Sequence, residues 1–260
     1  MKDVQSQRDN RGISIDRVGI KNLEYPIDVL DKEHKFQTTV ALVNMSVLLP
    51  HHFKGIHMSR FIEILNSHKK EITLFNIGKI LSKMRSRLNA DKARMELRFS
   101  YFMLKSSPKT LAKSLMNYNC AFIAEQSEDY EDKILEVRVP VTTLCPCSKE
   151  ISTQGAHNQR SYVTISIRMK EMVWIEEIVQ IAENAASAPI YPLLKRADEK
   201  FVTELAYDNP VFVEDLVRNV AENLLLDKRI TWFKVEGESI ESIHNHNAFA
   251  CLERKKEDAF

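Results

Sequence analysis

An α+β protein, with largely antiparallel sheets carrying helices on one face, is the fold class the sequence predicts. Three observations lead there. Strand, helix, helix, strands is the element order in both halves, with the strands at 40–49 and 161–169 starting about 120 residues apart. Segments such as SYVTISIRM, residues 161–169, alternate apolar and polar side chains with the period of a half-buried strand. Neither half shows the regular strand–helix alternation of a doubly wound parallel sheet. A length of 260 residues allows one large domain or two of about 130. The expected division is a polar N-terminal segment over 1–17, loosely held, a first half over 18–130 and a second half over 131–260.

Taken in order, 18–27 mixes apolar residues with Gly19 and Pro26 and reads as a short strand and turn. Residues 38–49, TTVALVNMSVLL, are rich in branched side chains and end at Pro50, which predicts a strand. A helix begins in 57–65, and 72–88 predicts a second, with Leu74, Ile77, Ile80, Leu81 and Met84 at helical spacing. Strands are expected at 93–104, around 121–124 and at 134–143. In the second half, 161–169 is a strand, 172–186 a helix, 211–226 a helix with Val213, Leu216, Val217, Val220 and Leu224 on one stripe, and 230–235 and 248–252 are strands.

Charge and glycine content exclude several functions. With 37 basic and 36 acidic side chains, the net charge is +1, so no broadly basic nucleic-acid surface is expected. No apolar run approaches the roughly 20 residues of a membrane span, and the start, MKDVQSQRDN, lacks the apolar stretch of a secretion signal. A reducing cytoplasmic setting without disulfides is expected for the four cysteines. Glycine occurs 6 times, where average usage would give about 18, and no GxG or GxxxxGK[ST] is present. A phosphate ligand must then be met by Arg and Lys side chains.

Three segments carry candidate chemistry. In VTTLCPCSKEISTQGAHNQR, residues 141–160, Cys145 and Cys147 flank a rigid proline at a strand end, and His157 follows. Thiolate and imidazole suit zinc and related divalent metals, although ordinary loop cysteines or a redox pair fit the same pattern. In SIHNHNAFACLE, residues 242–253, His244 and His246 stand two apart at a strand entrance. In YPLLKRADEKFVTELAYDNPVFVEDLVR, residues 191–218, charges sit among apolar residues and Pro189, Pro192 and Pro210 interrupt helix formation. A solvated face with pairs such as Glu214–Arg218 is the plain reading; irregular charged segments beside helix starts also build sites. Asn209 is a candidate cap for the helix that follows. Cys120 and Cys251, in apolar strand-like surroundings, are expected to be buried. His34, His51, His52, His57 and His68 are read as structural or solvent-facing. Together the donors point to a metal site built from distant segments, with an anionic substrate.

The combination LCPCSKEIS, GAHNQRS, LLKRADEKFVTELAYDNPVFVEDLVR and ESIHNHNAFA, with DRVGIKNLEYPI and KGIHMSRF earlier in the chain, resembles the GTP cyclohydrolase type IB family over about residues 12–253. The resemblance implies a bimodular tunnelling fold whose sheets join into barrels in a homotetramer, with active sites near subunit interfaces. It implies a hydrolase acting on cyclic amidine C–N bonds, converting GTP and water to 7,8-dihydroneopterin triphosphate and formate for tetrahydrofolate and 7-deazaguanosine tRNA synthesis. It implies a divalent ion (zinc, manganese or ferrous iron) on Cys145, His157, Glu199 and His244, with His157 alternatively a proton shuttle. Cys147 resembles the essential thiol and Glu214 the acid that anchors guanine. Lys149, Arg160, Lys195, Arg196 and Lys200 are the candidates for the triphosphate. The expected chemistry is attack of activated water on C8 of guanine, ring opening, loss of formate and pterin closure, Cys147 moving protons. The alternatives are another tunnelling-fold purine or pterin enzyme, such as a nitrile reductase or a relative that stops at a cyclic phosphate, and a structural metal-binding protein.

Overall fold

The computed structural model describes residues 5, 7–68 and 72–256. By contacts the chain divides into two compact units, Met1–Ser100 with Ala121–Leu135, and Tyr101–Cys120 with Glu136–Phe260. The strands β3 (Ala93–Ser106), β4 (Lys113–Gln126) and β5 (Glu131–Leu144) supply residues to both.

In the first unit, β1 (Ile15–Asp31) and β2 (Lys35–Leu49) form an antiparallel hairpin, and β2 pairs antiparallel with β3 from Ala41–Phe99 to Val47–Ala93. The hairpin turn is set by Asp31, whose carboxylate accepts from the Glu33 and His34 backbone N–H groups at 2.8 and 2.7 Å. The first strand is longer than the short one its sequence suggests. The residues past Pro26 continue it because Ile27 and Val29 alternate inward and are buried. Gly19 faces Ser46, and a Cβ there would stand 1.9 Å from the Met45 carbonyl oxygen, so only glycine allows the two strands to approach.

The helices α1 (Ser59–Asn66) and α2 (Ile77–Leu88) pack together, and α2 lies on β2. Ala41, Val43, Met45 and Val47 of β2 face inward, as do Phe61, Ile64, Ile80, Leu81 and Met84 of the helices. The expected helix over 72–88 begins five residues later than its periodicity suggests. Thr73 and Asn76 close a turn first: the Thr73 N–H donates to Asn76 Oδ1 at 2.9 Å and the Asn76 N–H to Thr73 Oγ1 at 3.2 Å. Asn89, at φ 49°, ends α2 as a left-handed cap. Part of the polar stretch 1–17 (residues 1–4 and 6) lies outside the described residues. The rest is held more firmly than composition suggests: the Gln5 and Gln7 carbonyls accept from Gly55 and Lys54, and 15–17 belong to β1.

In the second unit, β6 (Asn158–Met169), β8 (Ile230–Ser239) and β9 (Ala248–Lys255) are consecutive antiparallel neighbours, and the two-residue β7 (Ala188–Pro189) pairs antiparallel with β5. Two helices, α4 (Ile175–Ala185) and α6 (Val213–Leu226), pack on each other, and α6 covers β8 and β9. The five-residue apolar stripe of α6 is buried as its spacing predicts. Cys120 is buried, and burial pushes its thiol pKa up. Cys251 is instead exposed. It sits opposite Glu236 on β9, whose outward register also holds Phe249 and Glu253, and among the described residues β9 pairs only with β8. Among the described residues, no helix is long and apolar enough to cross a membrane.

Candidate active site

The site grows from the end of β5. Pro146 occupies the first position of a short helix, α3 (Pro146–Ile151), for which proline's fixed torsion is suited. An extended chain would put the two cysteines on one face, and the helix separates them. Cys145 becomes the N-cap, its Sγ accepting from the Ser148 N–H at 3.4 Å, half-buried at the strand end. Cys147 sits in the first turn and is exposed. The chain then returns through Gly155, whose φ of +73° is open to glycine without strain. His157 is thereby tied to Cys145: the Cys145 N–H donates to the His157 carbonyl at 3.1 Å, and the His157 N–H donates to Ser148 Oγ at 3.2 Å.

Cys145 and His157 form one wall of a cavity of about 310 Å³, which Gln159, Val211, Phe212, Val213, Glu214, Ser239, Glu241, His244, His246 and Ala248 complete. The start of α6 is brought here by backbone pairing: the Val211 N–H donates to the Leu144 carbonyl at 3.0 Å. That contact delays the helix, so Phe212 is its N-cap. Asn209, expected to cap it, instead donates its amide to the Ala186 carbonyl at 2.9 Å. Gly237 of β8 lets α6 come close, since a Cβ there would meet Val213 and Val217 at 3.1 Å. The expected Glu214–Arg218 pair is replaced: Arg218 reaches Asp215 at 3.0 Å, and Glu214 lines the cavity. The His244 and His246 rings stack with centroids 5.1 Å apart.

Of the residues singled out from sequence, Cys145, His157, Glu214, His244 and His246 thus share one cavity. Glu199 does not line it. It lies exposed on α5 (Arg196–Asp208), a helix that the sequence pattern does not announce. Arg160, Lys195 and Arg196 are exposed, and Lys200 pairs with Glu204 at 3.5 Å. The Lys149 ammonium donates to the Tyr207 carbonyl and lies 4.4 Å from the centre of the Tyr207 ring, which ties α3 to α5. Gln159, Ser239 and Glu241 are not recognisable from sequence because a polar residue in or beside a strand carries no local mark of a site.

Asp198, beside Glu199, explains how α5 is placed. It is fully buried, and its carboxylate accepts from the Lys109, Thr110 and Lys195 backbone N–H groups at 2.8, 2.9 and 2.9 Å and from the Thr110 hydroxyl at 2.6 Å. One residue further is about 100° around the helix, so Glu199 faces out. Burial opposes the Asp198 charge, but these hydrogen bonds outweigh it and hold the carboxyl well below the usual carboxylate range. A carboxyl depressed on folding stabilises above its unfolded pKa, about 3.9, and the contribution is lost as pH falls through the lower folded value. Asp198→Asn is therefore expected to melt about 5 °C or more below the parent protein at pH 7. That gap should narrow below pH ~4. A gap that stays constant from pH 7 down to pH ~2 would contradict the assignment.

Among the described residues, no three His, Cys, Asp or Glu side chains stand close enough together to hold a metal ion. Residues 1–250 match the family model of type I GTP cyclohydrolase FolE2. The chain belongs to that family. It is 54% identical over 258 residues to GTP cyclohydrolase FolE2 of Geotalea uraniireducens, covering 99% of this chain and 95% of the relative. The Geobacter sulfurreducens protein of the same name is 54% identical over 259 residues, with 100% of both chains covered, and the Pseudothermotoga lettingae protein 51% over 258 residues, with 99% and 100% covered. Among solved structures, urate oxidase from Bacillus sp. TB-90 superposes with a TM-score of 0.57 at 10% identity, covering 93% of this chain and 100% of that one. Uricase from Arthrobacter globiformis gives 0.55 at 7%, covering 94% and 95%. At that identity the likeness is one of fold: this FolE2 family member has an α+β tunnelling-type fold with antiparallel strands and helices.

Proposed function

We propose that this FolE2 family member is a GTP cyclohydrolase of type I, converting GTP and water to 7,8-dihydroneopterin triphosphate and formate for tetrahydrofolate synthesis. The observation that carries this reading is the full-length family match. The cavity supports it by grouping a thiol, imidazoles and two carboxylates.

The donors suit a divalent ion by their chemistry. Cys145 offers sulfur. His157 has Nδ1 3.0 Å from Gln159 Oε1, an arrangement that leaves Nε2 as the donor atom. Cys145, His157 and His244 line one cavity and would have to draw closer together than they stand here to hold the ion. Glu199, exposed on α5, completes the set in a homotetramer whose sites lie near subunit interfaces, where it is able to face a neighbouring copy. Thiolate, imidazole and carboxylate together suit zinc, manganese or ferrous iron. The ion supplies Lewis acidity that brings the deprotonation of water near neutral pH.

The chain's own residues do the rest. Glu214 presents two acceptor oxygens to the guanine ring N–H and amino group. Val211, Phe212 and Val213 limit water around the purine. Cys147, exposed on α3, moves protons during ring opening and loss of formate. His157 orients water or shuttles a proton if it is not a ligand. Arg160, Lys195, Arg196 and Lys200 are exposed cations for the triphosphate, and Lys149 joins them by leaving Tyr207. A cytoplasmic enzyme is the setting consistent with a GTP substrate, and modified tRNA is a second outlet for its product.

The test is direct. The protein is incubated with GTP and zinc, manganese or ferrous iron, and the mixture is then oxidised. A fluorescent pterin and released formate are expected. Absence of both with all three metals overturns the reading, and NADPH consumption with a nitrile substrate would replace it.

A further inference from the structure

We infer that Ser239 donates a hydrogen bond to an acceptor atom of the purine nucleotide in the cavity, and that Gln159 sets the direction of that bond through a sealed chain of hydroxyls. The inference rests on the reading of the cavity as the GTP site.

Four contacts link five side chains of β5, β6, β8 and the loop before β6. His157 Nδ1 stands 3.0 Å from Gln159 Oε1. Gln159 Nε2 donates to Thr143 Oγ1 at 3.1 Å. Thr143 Oγ1 is 2.7 Å from Ser161 Oγ, which is 2.8 Å from Ser239 Oγ. Thr143 and Ser161 are 0% exposed and Ser239 2%. His157, Gln159 and Ser239 line the cavity, so the chain leaves the cavity at the imidazole and returns to it at a hydroxyl.

Pairing every buried proton sets the direction. A hydroxyl has one proton and two lone pairs, so Thr143 could accept from both the amide and Ser161, but among these contacts its own proton would then be buried without an acceptor, which is costly. Giving that proton to Ser161 avoids the cost. Ser161 then donates to Ser239, and the Ser239 proton is left for the cavity. At the other end the Gln159 carbonyl accepts from His157 Nδ1–H, which leaves Nε2 bare. One amide therefore orients both an acceptor nitrogen and a donor hydroxyl in the same cavity. Glu214 accepts from the nucleotide, and Ser239 complements it by donating.

The test uses Ser239→Ala, Gln159→Glu and the double variant. The carboxylate that Gln159→Glu introduces accepts from both neighbours, so Thr143, Ser161 and Ser239 turn their protons inward and the cavity loses its donor. Equilibrium dialysis of GTP against the metal-free protein is expected to show about 10-fold weaker binding for each single variant. The double variant should bind no more weakly than the weaker single one. In the parent protein, ¹⁵N spectra should show the neutral His157 ring protonated on Nδ1. Additive losses of about 100-fold in the double variant, parent-like binding by either single variant, or a proton on Nε2 would each overturn the chain. The ring spectrum of the parent and Ser239→Ala keep the test decisive should Gln159→Glu fail to fold. A parent protein that binds GTP but forms no pterin sinks the proposed function instead.

Discussion

Cys145→Ala is expected to abolish GTP turnover and strip the divalent ion, whereas Cys147→Ala is expected to abolish turnover and leave the ion in place. The difference follows from their positions two residues apart at the start of α3. Cys145 lines the cavity, and its backbone is paired with that of His157, so its sulfur and the imidazole are presented together. Cys147 is exposed in the first helical turn and lines no part of the cavity. Its proposed part is proton transfer, whose loss costs about 10²–10⁴-fold in turnover. Metal content by elemental analysis, on protein purified without oxygen, separates the two variants. Equal metal retention in both would contradict the roles given to them. Neither cysteine is in the core, and Cys145→Ala sacrifices the N-cap contact of a short helix, a cost of about 1 kcal/mol. Both variants should therefore stay folded, so that lost turnover reports chemistry.

The largest stability effect is expected at Lys105. Its ammonium reaches Glu183 at 2.5 Å and the Ile190 carbonyl at 2.6 Å, and lies 4.4 Å from the centre of the Tyr191 ring. The Lys105 and Glu183 side chains are only 13% and 14% exposed, and the Tyr118 hydroxyl donates to Glu183 at 3.0 Å. Burial lowers the Lys105 pKa and the Glu183 charge opposes that shift; burial and Glu183 both push the Tyr118 hydroxyl up. Lys105→Met leaves the Glu183 carboxylate desolvated without its cation, a loss of about 3–5 kcal/mol. Adding Glu183→Gln should recover most of it, because the uncompensated charge is then gone. Urea denaturation measures both. A single variant that loses less than about 1 kcal/mol would place the pair among ordinary surface ion pairs. The tie matters to the site because it fastens strands β3 and β4 to α4 and to the stretch that leads into α5.

Elements with strong local periodicity are legible in the amino-acid sequence itself. The alternation of 161–169 matches β6, and the apolar stripe from Val213 to Leu224 is the buried face of α6. Helix α5 is hidden by three prolines that look like interruptions. They bracket it instead: Pro189 lies in β7, Pro192 precedes the helix and Pro210 follows it, while 196–208 contains none. Helix α3 is hidden because six residues are too few to show a period. Cys251 departs from the expected burial because an apolar neighbourhood in sequence does not reveal which face of an edge strand is covered.

For the site, residue chemistry and the family motifs nominate Cys145, His157, Glu214 and His244, and the folded chain gathers all four around one cavity. The order of amino acids determined the strongly periodic elements and the family motifs, because periodicity and short motifs are properties of neighbouring residues. Only the tertiary structure decided that Glu214 turns to the cavity while Arg218 takes Asp215, that Asp198 is buried while Glu199 faces out, and that Gln159 and Ser239 are joined through Thr143 and Ser161. Those choices depend on strands and helices far apart in the chain coming together, where burying one polar group demands partners that sequence distance conceals.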